Sequence, residues 1–299
     1  MTLVVAAAMT LVTASGCLRL PDRVDRAMTD DWPSFAEPVQ FVPEAGRCHN
    51  RVTTIGTLDD YLPFDCKHEH LLETVYVGTL TGQHDEDGDA TAEPGSAVRL
   101  AARAECDQRV DEFLGGPWQS ARIDLVVVTP SPDAWDGGAR WFRCDLGETV
   151  GVIDDDNLMR RTTTFADALA DPDNWLRLGC YDSAAVGQDD DSLVEPLECD
   201  VPHQAEFVGT YVEDKLGSDA IDSNSAEIHA RCRKLVASYA KVPNDDDLQY
   251  RAGTIYLGPS MPAWSDGNRT VRCFVWRFEP LLTRSVRGGG PDALPIRYE

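Results

Sequence analysis

The chain has 299 residues, with 27 Lys+Arg against 51 Asp+Glu and a formal net charge of −24; its pI is near 4.5. That surplus of acid repels phosphate backbones and anionic headgroups, which excludes a nucleic-acid partner and electrostatic docking onto lipid. Apolar residues at 42% and aromatics at 8% are enough to pack cores, so wholesale disorder is excluded too.

Residues Met1 to Gly16 carry no charge; an apolar run from Leu3 to Val12 is followed by the small residues Ala14, Ser15 and Gly16 and then by Cys17. The run matches a signal-peptide core in length and is too short to span a bilayer comfortably. With small residues before a Cys, it resembles a bacterial lipoprotein signal. The resemblance implies removal of residues 1–16, lipid on the Cys17 thiol and a place on the outer face of the cytoplasmic membrane, with 17–44 as a tether. Ala14 stands where such signals usually have Leu, and no Lys or Arg precedes the run. An uncleaved anchor or an ordinary secretory signal are the other readings, and both export the protein.

Setting Cys17 aside leaves eight cysteines: Cys48, Cys66, Cys106, Cys144, Cys180, Cys199, Cys232 and Cys273. In an exported chain an even number reads as a disulfide framework. None forms a C-x2-C pair, so no structural zinc is expected, and no cofactor. Successive spacings are 18, 40 and 38 in the first half and 19, 33 and 41 in the second, which is one module used twice. The intervening residues agree. Cys66-x3-His70-x2-Glu73 recurs as Cys199-x3-His203-x2-Glu206, and Trp135, Gly138, Arg140 and Arg143 before Cys144 match Trp264, Gly267, Arg269 and Arg272 before Cys273.

In chain order, each signature runs into a β-branched and aromatic stretch, Thr74 to Gly78 and Phe207 to Gly209. Val98, Ala102, Cys106, Val110 and Phe113 then mark one face of a helix, as do Ile228, Cys232, Leu235, Val236 and Tyr239. Pro94-Gly95-Ser96 opens the first helix, and Asn224 followed by Glu227 gives the second an N-cap signal. Ile123–Thr129 and Arg251–Leu257 read as strands, as do Arg140–Cys144 and Arg269–Phe278. The expected architecture is α+β: two tandem disulfide-stapled repeats, 45–146 and 177–280, each a small antiparallel sheet packed with one main helix. A linker at 147–176 and a tail at 281–299 complete the expected domains. Four cysteines allow three pairings per module. A helix packed on a sheet favours Cys106 with Cys144 and Cys232 with Cys273, leaving Cys48 with Cys66 and Cys180 with Cys199 across hairpin-sized segments.

Two constellations invite chemistry. His70 with Glu73, and His203 with Glu206, place an imidazole and a carboxylate three residues apart, suited to a divalent metal or a wall contact. The plainer reading is a hydrogen-bonded turn beside a disulfide. His68-Glu69-His70 is not the helical H-E-x-x-H of zinc proteases. Trp135 with Arg140, and Trp264 with Arg269, suit an exposed anion or glycan platform, or simply close a core. No G-x-S-x-G elbow is present, and eight paired cysteines leave no thiol nucleophile. The acidic runs Asp85–Asp89, Asp154–Asp156, Asp189–Asp191 and Asp245–Asp247 read as solvated loops, because an EF-hand begun at Asp85 would put Ala90 and Ser96 where Gly and Glu are required.

With Gly46-Arg47-Cys48, Cys66 to Glu73, Trp135 to Cys144, their second copies and the exit Leu282-Thr283-Arg284-Ser285-Val286-Arg287-Gly288, the chain resembles the septum formation family of actinobacterial envelope proteins over about residues 45–290. The resemblance implies an exported or membrane-anchored protein of cell division, without established enzymatic activity. The expected function is a non-catalytic, membrane-anchored lipoprotein that binds an envelope or divisome protein, or a cell-wall component. The alternative is an exported hydrolase with His70 or His203 as base. The two differ in what surrounds the imidazoles: a cleft for the enzyme, backbone carbonyls for the scaffold.

Overall fold

The two halves repeat one strand order. β1 (Arg47–His49), β2 (Ile55–Gly56), β3 (Leu72–Thr79), β4 (Ile123–Pro130), β5 (Trp141–Thr149) and β6 (Leu158–Met159) make the first sheet, ordered β1-β3-β5-β4-β2 with β6 on β5. β7 (Cys180–Tyr181), β8 (Pro196–Leu197), β9 (Ala205–Val212), β10 (Gly253–Leu257) and β11 (Thr270–Trp276) make the second, ordered β10-β11-β9-β7-β8. The run β1-β3-β5-β4 is therefore reproduced by β7-β9-β11-β10. Every pairing is antiparallel except the two-residue β2 on β4. Register is shared as well: Cys48 faces Glu73 and Cys180 faces Glu206.

This computed structural model describes residues 39–57, 61–80, 93–152, 157–182, 196–215, 217 and 224–297. The expected signal, Cys17, most of the tether and three of the acidic runs (Asp85–Asp89, Asp154–Asp156 and Asp189–Asp191) lie outside the described residues. Phe41–Glu299 form a single compact unit that contains both modules.

Each sheet carries one main helix, α1 (Ala97–Leu114) or, after the short α2 (Pro132–Asp136), α3 (Ser225–Ala240). Ser96 caps α1 by accepting from the Arg99 N–H at 3.2 Å. Asn224 occupies the cap position of α3, but its side chain caps no helix N–H. The apolar stripes face the sheets through Ala102, Cys106, Val110 and Leu114 in the first module and Ile228, Cys232, Val236 and Ala240 in the second. Opposite them, the period-two faces Phe142, Cys144, Leu146 and Val271, Cys273, Val275 complete the cores.

Four disulfides join Cys48–Cys66, Cys106–Cys144, Cys180–Cys199 and Cys232–Cys273. The second and fourth tie each helix to an interior strand of its own sheet, β5 or β11. On the chain-entropy account, loops of 18 to 41 residues restrict the unfolded chain by about 3 to 4 kcal/mol each.

The segments expected as linker and tail do more than connect. Phe165, Leu169 and Leu176 fill the first core, and Leu282, Val286 and Leu294 fill the second. Each module thus has a C-terminal strap, disguised in the sequence by polar neighbours such as Thr162-Thr163-Thr164.

The Trp turns are alike. Ser131 and Ser260 cap α2 and its counterpart α4 (Met261–Ser265), each with proline in the first turn. Gly138 at φ +96° and Gly267 at φ +97° then reverse the chain in a region that L side chains disfavour.

Candidate functional site

The signature residues stand where β3 and β9 begin, and they hold the straps. His70 forms an antiparallel bridge with Arg161, and His203 with Leu282, through reciprocal backbone bonds of 2.8 to 2.9 Å. Three residues on, Glu73 projects beneath the strap; its Oε1 accepts from Thr164 Oγ1 at 2.7 Å and its Oε2 from the Phe165 N–H at 2.8 Å. Glu206 repeats this with the Ser285 hydroxyl and the Val286 N–H, the latter at 2.8 Å, and also accepts from the Tyr239 hydroxyl at 2.6 Å. Both carboxylates are buried, so these charge-assisted bonds form away from competing water. Burial and then the Glu206 carboxylate push the Tyr239 phenol up from its ordinary value.

Both imidazoles are buried. Nδ1 of His70 lies 2.7 Å from the His68 carbonyl, and Nδ1 of His203 lies 2.7 Å from the Val201 carbonyl. Each ring thereby closes a turn two residues back on itself. Nε2 of His203 is 4.0 Å from Glu206. A Cys180 Sγ, a His203 nitrogen and a Glu206 oxygen fall within 4.8 Å of one another. The sulfur is bonded to Cys199, which removes the thiolate a metal would need. Glu206, Tyr239, Ser285 and Arg287 also line a surface groove of about 830 Å³ together with Trp175.

The tryptophan–arginine pairs close turns. Trp135 and Trp264 are buried, at 9% and 8% exposure, the arrangement of the core-closing reading and not that of an exposed platform. The Arg140 and Arg269 guanidiniums lie over these rings at 3.9 and 4.2 Å, with Arg140 Nη1 donating to the Trp135 carbonyl at 2.7 Å and Arg269 Nη1 to that of Trp264. Each arginine satisfies the turn its own tryptophan begins. Asp245 likewise serves locally: its side chain accepts from the Asp247 N–H at 3.2 Å and caps a short 3₁₀ turn.

Sequence reasoning missed a buried polar cluster on the outer face of the first sheet. Asp145 accepts from Thr74 Oγ1 at 2.7 Å and from Arg143 Nε at 2.8 Å, and His49 Nε2 lies 3.2 Å away. The Tyr61 ring covers the Arg143 guanidinium at 4.3 Å. Burial alone would raise the Asp145 carboxyl, but His49, Arg143 and Thr74 outweigh it and hold the group below its usual range. In the second module the matching positions are Tyr181, Phe207 and Phe274, an aromatic cluster with centroids 5.5 to 5.9 Å apart. Arg272, the counterpart of Arg143, turns outward and donates to the Gln119, Val152 and Ala121 carbonyls of the first module at 2.8 to 3.3 Å. The paired positions Arg143 and Arg272 are visible in the sequence; their divergence into a buried network and an inter-module clasp is not.

No described helix is long and apolar enough to cross a membrane. The chain is similar to uncharacterized membrane proteins from two strains of Mycobacterium tuberculosis, CDC 1551 / Oshkosh and H37Rv, each 25% identical over 235 residues that cover 74% of this chain and 49% of the relative. It thus spans about half the length of the curated relatives it matches. No solved structure matches it significantly. The family described as septum formation matches residues 45–273, the span that contains all eight disulfide cysteines and both signatures. The chain belongs to the septum formation family.

Proposed function

We propose that the chain is a non-catalytic envelope module, held on the outer face of the membrane by lipid on Cys17, that binds a protein or cell-wall component in septum formation or envelope maintenance. The observation that carries this reading is the use made of the signature residues. His70, Glu73, His203 and Glu206 are buried, and the hydrogen bonds that their Nδ1 and carboxylate atoms make go to turns and straps. A general base needs a reacting proton within reach; with each Nδ1 on a backbone carbonyl the remaining basic nitrogen is Nε2, and both Nε2 atoms are buried out of contact with solvent. Four disulfides and two strapped cores suit a rigid scaffold in an oxidising compartment. Membership of the septum formation family and the membrane-protein relatives supply the setting.

Replacing Cys17 with Ser and fractionating cells tests the anchor. Release of the protein to the medium is the expected result, and an unchanged membrane fraction would contradict it. Crosslinking of the wild-type chain in living cells then tests binding, with capture of one recurrent envelope component expected.

A further inference from the structure

We propose that a groove at the open end of the β10–β11 hairpin binds a carboxylated sugar, a ligand with a negative group beside a flat ring face. This deepens the binding-module reading and rests on it. The groove measures about 430 Å³ and is lined by Arg251, Arg277 and Arg297 together with Tyr250, Trp276 and Phe278. It begins where Gly253 pairs with Trp276, the last rung of the ladder.

Three arginines converge in a chain that carries 51 acids to 27 bases. Among the described residues none of the three has a carboxylate within ion-pair range, although Glu279 also lines the groove. Arg277 donates to the Arg251 carbonyl at 2.8 Å and Arg251 to the Leu294 carbonyl at 2.7 Å, so neutral acceptors position the two buried side chains without cancelling their charge. Arg251 is 7% exposed and its Nε has no hydrogen-bond partner. Burial, and then the neighbouring Arg297, lower Arg277 from its usual value, a strain that a bound anion relieves.

The duplication supplies an internal control. Counting from the aligned cysteines Cys144 and Cys273, Arg251 corresponds to Arg122 and Arg277 to Glu148. In the first module Glu148 lies 3.2 Å from Arg161, and the Arg122 guanidinium is covered by the Trp175 ring at 4.7 Å. That copy is neutralised and covered. The second copy exchanges the carboxylate for a guanidinium and leaves the site open.

The other wall sets the ligand's second feature. Phe278 and Tyr250 are 62% and 44% exposed, and the Trp276 and Phe278 rings lie 6.4 Å apart. Arginine forks suit a carboxylate, aromatic faces suit the C–H face of a sugar ring, and the volume lies in the range of small-ligand sites.

Calorimetric titration of the exported chain with N-acetylmuramic acid, whose lactyl carboxylate is free, alongside neutral chitotetraose and tetraglutamate, tests this. Saturable binding of the muramyl probe is expected, weakened about tenfold or more by loss of one charge-assisted contact in Arg297→Ala or Arg277→Glu. Arg297 is exposed, so its variant should keep the wild-type unfolding midpoint. Undiminished affinity in both variants, equal affinity for chitotetraose or for tetraglutamate, or no saturable binding would each overturn the proposal. If a chain with both substitutions still crosslinks its partner in cells, the groove is wrong and the binding-module reading stands; if the wild-type chain captures nothing, that reading fails with it.

Discussion

The Arg99 guanidinium grips the Asp266 carboxylate with two bonds, Nε to Oδ1 at 2.7 Å and Nη2 to Oδ2 at 2.8 Å, joining α1 of the first module to the Trp turn of the second. Arg99 also donates to the Val127 carbonyl at 3.0 Å and is 2% exposed, so its charge sits inside the protein with one acidic partner. Together with Arg272 it makes the two modules one body instead of two beads on a string.

Removing that partner should therefore be expensive. Asp266→Ala strands a buried guanidinium and is expected to lower the unfolding free energy by about 3 kcal/mol. Asp246→Ala, on an exposed turn, should change it by no more than about 0.5 kcal/mol. Urea unfolding of the two variants makes the comparison, and equal effects would show that the inter-module bond carries no weight.

The straps yield a second prediction. Glu206→Ala deprives the Val286 N–H and the Ser285 hydroxyl of their acceptor, with an expected cost of about 2 to 4 kcal/mol. The strap should also open locally before the module unfolds. Trypsin under native conditions should then cut at Arg284 or Arg287 faster in the variant than in the wild-type chain. Glu73→Ala should act in the same way on the strap around Arg161. Cleavage patterns indistinguishable from wild type would remove the clamp from the account.

Acid should act through Asp145. Its carboxyl titrates lower folded than unfolded, so the stability it contributes is complete above the unfolded value of about 3.9 and disappears as the pH falls through the folded value. Asp145→Asn should cost about 2 to 4 kcal/mol at neutral pH, and the gap to wild type should narrow below about pH 4. Unfolding free energies measured from neutrality to pH 2 provide the check; a constant gap would mean that the charge of Asp145 is not what the cluster uses.

How far the sequence reveals this depends on the kind of signal. Cysteine spacing carries the duplication, and helix periodicity carries the stapling of Cys106 to Cys144 and Cys232 to Cys273, because both are local patterns fixed by backbone geometry. The straps read as linker and tail because three buried apolar residues in each, spread over about a dozen positions, are too few to establish a period. The signatures are legible as motifs, yet the strap partners of Glu73 and Glu206 stand about 80 to 90 residues away, a distance that no single-sequence pattern spans. Arg99 and Arg103 were missed for a related reason: arginine on a helix reads as solvent-facing, and only an acidic or carbonyl partner from another element permits its burial.

Removing one staple should be costly without breaking the pattern elsewhere. Replacing Cys232 and Cys273 together by Ser is expected to lower stability by about 2 to 5 kcal/mol, while the first module keeps both its bridges. Thermal unfolding combined with thiol counting would show it, and an unshifted midpoint would contradict it.

The most direct measurement is non-reducing peptide mass mapping of the protein recovered from the cell envelope. Four bridges are expected, Cys48–Cys66, Cys106–Cys144, Cys180–Cys199 and Cys232–Cys273, each inside its own module. A bridge between modules, or cysteines of this set recovered as free thiols, would contradict the account of a duplicated, separately stapled scaffold working outside the cytoplasm.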